Sequence, residues 1–72
     1  MLELGTRVII IDSGATGIIT ARRGERCHYE PNCKDLLLTQ DYEVRLDGVE
    51  ENLNSDGFYK NYRIENNVEK ID

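Results

Sequence analysis

Cys27, His28 and Cys33 lie close together in the chain and all can bind a metal. A structural zinc takes four ligands, commonly from cysteine pairs with about two to four residues between them. Here five residues separate the cysteines and no second pair exists, so His28, Glu30 or Asp35 would have to complete the set. Neighbouring side chains of an extended chain point opposite ways, which keeps Cys27 and His28 from sharing one ion. Ordinary packed or loop cysteines are the first reading, with a metal site and a disulfide as alternatives. No cofactor is expected.

One stretch is rich in cations: Arg22-Arg23-Gly24-Glu25-Arg26-Cys27-His28-Tyr29. Arg22, Arg23, Arg26 and His28 could grip phosphates while Tyr29 stacks on a base. The same residue types anchor protein interfaces equally well. The plain alternative is a solvated hairpin extension in which Glu25 pairs with a neighbouring arginine. Phe58, Tyr59 and Tyr62 hold three of the five aromatics. In an alternating strand Phe58 and Tyr62 share one face, and Tyr59 points outward as a binding residue. A core pair with one surface tyrosine is the simpler use of these rings in a chain without tryptophan. Asp47, Glu50, Glu51 and Asp56 form an acidic loop whose spacing fits no EF-hand. Such a loop either meets a basic partner or is simply wet.

Catalysis finds little support. There is one histidine, and neither Ser13 nor Ser55 has a base at a recognisable spacing. No phosphate-cradling glycine loop and no H-E-x-x-H run is present. A chain of 72 residues buries only about 60 % of its unfolded surface. That leaves too thin a core for a deep, water-excluding cleft. We therefore expect no enzyme, and one domain over residues 1–72.

The elements that must position these residues read as strands. Four β-branched residues, Val8-Ile9-Ile10-Ile11, predict a first strand over 7–12, because stiff side chains suit a pleated surface. Gly14-Ala15-Thr16-Gly17 predicts a tight turn and Ile18–Arg22 a returning strand. Residues 23–40 form an irregular excursion, within which 36–39 is open to a short strand, a helical turn or a plug under a barrel. Asp41–Leu46 alternates strictly, predicting a strand with Tyr42, Val44 and Leu46 inward and Glu43 and Arg45 in water. Turn signals at Asp47-Gly48 and Asp56-Gly57 bracket the acidic loop. Phe58–Arg63 reads as a fourth strand, 64–67 as a tight turn and Val68–Ile71 as a short fifth strand. Five short strands and no helix predict a small all-β barrel, since closure removes sticky edges.

The pattern Gly5-x-Arg7-Val8-x-Ile10 followed by Gly14-x-x-Gly17-x-Ile19 resembles the opening hairpin of KOW-type and other SH3-like barrels. Tyr42-Glu43-Val44-Arg45-Leu46-Asp47-Gly48 and then Tyr62-Arg63-Ile64-Glu65-Asn66 are similar to the later strands of that fold. The resemblance implies a five-stranded SH3-like barrel with a one-turn helix before the last strand and, here, a long loop between strands two and three. It covers about two thirds of the chain, leaving out 23–40 and 47–57. It implies macromolecular recognition, with RNA, transcription machinery, peptides or other proteins as partners.

Charge favours one of these. Nine Lys and Arg face fourteen Asp and Glu, a net charge of −5. Residues 1–34 carry five cations against four anions, and residues 35–72 four against ten. Phosphate binding rests on cations, so this field repels nucleic acid, although plain solubility also explains it. A protein partner is expected, one suitable role being a phage-type or mobile-element inhibitor seated on a basic site. An RNA- or ribosome-associated KOW-like module gripping through Arg22, Arg23, Arg26 and Tyr29 is the alternative. The opening residues lack the cationic start and apolar stretch of a secretory signal, so cytoplasm is the expected compartment, with reduced cysteines. The longest apolar run, Val8–Ile11, is far short of a membrane span, and no membrane partner is expected.

Overall fold

The computed structural model describes residues 1–27, 37–48 and 61–71. The five strands found there are β1 (Arg7–Ile10), β2 (Thr16–Arg22), β3 (Tyr42–Leu46), β4 (Tyr62–Ile64) and β5 (Val68–Lys70). They form one antiparallel sheet in the order β4-β3-β2-β1-β5. No helix occurs among the described residues, and none is long and apolar enough to cross a membrane.

The β-branched run makes β1, but the strand stops at Ile10 rather than reaching residue 12. Gly14 donates its N–H to the Ile10 carbonyl at 2.8 Å, and Ile10 donates to Ala15 at 2.7 Å. That closes the loop early and leaves Ile11 exposed. Gly14, at φ +77°, supplies the left-handed backbone that the loop needs. Gly17, expected in the turn, lies inside β2 opposite Val8 and Leu46. Its need is space. A Cβ there would overlap the Arg45 carbonyl oxygen and sit 2.8 Å from Cγ1 of Val44.

The main core packs Val8, Ile10, Ile19, Tyr42, Val44 and Val68 on one face of the sheet. Burial alternates along β1 and the whole of β2, but the pairing of β2 with β3 shifts register partway. Ile19 pairs with Val44, but the next pair is Ala21 with Glu43, so Thr20 is an extra, bulged residue. The bulge turns Ala21 to the second face, where it packs with Cys27 and Leu38 in a smaller apolar cluster. Glu43 is fully buried, not wet as strict alternation predicts. Cys27 and Leu38, from the described ends of the excursion, cover Ala21 there.

Of the three readings open for 36–39, the described residues 37–39 form neither a helical turn nor a strand; they make an isolated bridge beside a buried Leu38. Leu37 bridges Arg26, Gly24 donates to Leu38 at 2.8 Å, and Leu38 donates to Glu25 at 2.7 Å. Phe58–Lys60, the first half of the expected fourth strand, lies outside the described residues; β4 begins at Tyr62 and extends to Ile64. In place of the implied one-turn helix, a tight turn leads to β5, with Asn67 donating to the Glu65 carbonyl at 2.5 Å.

No ring of strands closes: β4 and β5 are the two ends of the sheet, and no backbone pairing joins them among the described residues. Yet the sheet cannot be flat. Four strand spacings of about 4.8 Å would separate its ends by roughly 19 Å. The four steps from Ile64 to Val68 span at most about 14 Å. The sheet must curl to bring its ends within reach. The turn is held on both sides, by Asn66 donating to Asp41 Oδ2 at 2.8 Å and Ile11 donating to the Asn67 carbonyl at 3.0 Å.

Candidate interaction face

β2 runs out at Arg22, and its extension carries Arg23 and Arg26 along the excursion. The three arginines meet different surroundings. Arg22 Nε and Nη2 donate to Glu25 Oε2 at 3.1 and 2.8 Å. Its backbone N–H donates to Glu25 Oε1 at 2.6 Å, and Glu3 lies 3.8 Å from Nη1. The hydrogen bonds to Glu25 raise the pKa of the Arg22 guanidinium above its ordinary value against a smaller opposing desolvation. Glu25 reaches back one turn to hold the start of the excursion, which is the internal pairing its spacing suggests.

Arg23 is held from three sides. Nε and Nη2 donate to Asp41 Oδ1 at 3.2 and 3.1 Å, Nη2 also to Glu65 Oε1 at 2.9 Å, and Nη1 to the Thr39 carbonyl. Asp41 sits below the usual carboxylate range, chiefly through its hydrogen bonds from Arg23 and with help from the Asn66 N–H. Both guanidinium groups thus face carboxylates of their own chain.

Arg26 stands exposed across from Leu37, which keeps 59 % of its surface in water. An exposed aliphatic side chain across a β-bridge from an arginine is a composition suited to protein contact. His28, Tyr29 and Tyr59 lie outside the described residues, as do Cys33, Phe58 and the carboxylates at 50, 51 and 56. Cys27 is a thiol rather than half of a disulfide, and it is buried with Ala21 and Leu38. No group of three metal-binding side chains occurs among the described residues.

Asp47, read as part of the acidic loop, follows directly on β3 and is tied by its side chain to β1 and β2. It accepts from Arg7 Nη1 and Nη2 at 2.9 and 3.1 Å and from the Thr16 hydroxyl. These bonds, Arg7 first, bring its pKa down to about 2.

A buried polar cluster has no counterpart in the sequence reading. Thr20 donates its hydroxyl to Glu43 Oε1 at 2.7 Å, and Asn61 Nδ2 reaches the same oxygen at 3.4 Å and Thr20 Oγ1 at 3.2 Å. Asn61 is nearly buried, with no partner for Oδ1. Only the bulge at Thr20 brings this hydroxyl and carboxyl together, and nothing in the residue pattern announces a bulge. Comparison with protein-family models, curated proteins and solved structures finds no match to this chain.

Proposed function

We propose that this chain is a non-catalytic recognition module that binds another protein. Its frame is a small SH3-like barrel of five strands. The strand order, the enforced curl and the turn from β4 to β5 support that frame. The observation that carries the choice of partner is the state of the arginines. Arg22 and Arg23, the strongest phosphate-binding pair in the sequence, are already satisfied by Glu25, Asp41 and Glu65. An RNA would have to displace those carboxylates against a net charge of −5. A protein can instead use the exposed Leu37 side chain, with the acidic half of the chain favouring a basic site on the partner. Occupation of such a site, as by a phage-type inhibitor, is the role this reading favours.

Crosslinking mass spectrometry on the chain in native extract tests it. The expected result is a protein crosslinked around residues 23–27 and 37–41 that survives ribonuclease. Leu37→Asp should lower its capture by about tenfold, the loss of one moderate anchor. Recovery of RNA alone, abolished by ribonuclease and unaffected by Leu37→Asp, would overturn the proposal in favour of the KOW-like alternative.

A further inference from the structure

We draw no further inference here: the strongest candidate, the buried Glu43–Thr20–Asn61 cluster between β2, β3 and the entry to β4, carries nothing because its bonds are internal and nothing in the structure shows what its one unpartnered atom, Asn61 Oδ1, would meet.

Discussion

Asp47 and Glu43 show two ways in which a carboxyl is held by a sheet. Asp47 is half exposed and gains from a bidentate arginine and a hydroxyl. Its pKa is depressed from 3.8 to about 2. A depressed carboxylate contributes stability above its unfolded value and loses that contribution as pH falls through the folded one. The contribution of Asp47 is therefore present above pH 3.8 and disappears between there and about pH 2. In Arg7→Gln, carboxyl NMR titration should place Asp47 closer to 3.8, with acid unfolding beginning at higher pH. An unchanged Asp47 titration would remove Arg7 as the cause. Glu43, fully buried, accepts from the Thr20 hydroxyl. Thr20→Val keeps the shape and deletes the hydroxyl, leaving a buried acceptor short of a partner. That costs about 1–3 kcal/mol. The urea midpoint should fall accordingly, while Thr20→Ser, which retains the donor, should lose much less. Equal stability of the valine variant and the parent would mean that the hydroxyl contributes nothing.

At the scale of elements, the excursion and the turn before β5 behave as one unit because Asp41 bonds to both. One of its oxygens accepts from Arg23, the other from the Asn66 N–H. Asp41→Ala should therefore speed hydrogen exchange at Asn66, about 25 residues away in sequence, while leaving Val44 protected. Unaltered exchange at Asn66 would break the proposed link. The same geometry explains what could and could not be read from the chain. The β1–β2 hairpin was legible because β-branching and Gly14 are local signals. The inward set Tyr42 and Val44 was legible because alternation is local too. Burial of Glu43 was not, since it follows from a bulge on a different strand. Gly17 was misplaced because its reason for being glycine is Val44 and Arg45, far away in the sequence. Among the arginines, the partner of Arg22 was within three residues and could be anticipated. The partners of Arg23 are separated from it by 18 and 42 positions and are brought in only by folding.

Taken whole, the molecule is a strip of sheet whose middle is secured on both sides and whose ends are not. β2 pairs with β1 and β3, and β3 with β2 and β4. β4 and β5 each have three residues and one described neighbour. The residues under the middle are also the best buried: Val8, Ile19, Val44 and Glu43 are essentially inaccessible. Local opening should begin where few bonds and little apolar surface must be given up. Native-state hydrogen exchange should then rank Ile19 and Val44 slowest, opening only with global unfolding, and the amides of β4 and β5 faster. The enforced curl sets a limit on that difference. The turn at 65–67 ties both ends to Asp41 and Ile11, so β4 and β5 should loosen together rather than independently. A denaturant series at low concentration measures this directly, because segments that open in one event converge on one slope. If β4 and β5 showed different slopes, the turn would not be coupling the two ends. If both matched Ile19 and Val44, the ends would be sealed as firmly as the middle, and the seam between β4 and β5 would be closed by contacts beyond the backbone pairing described.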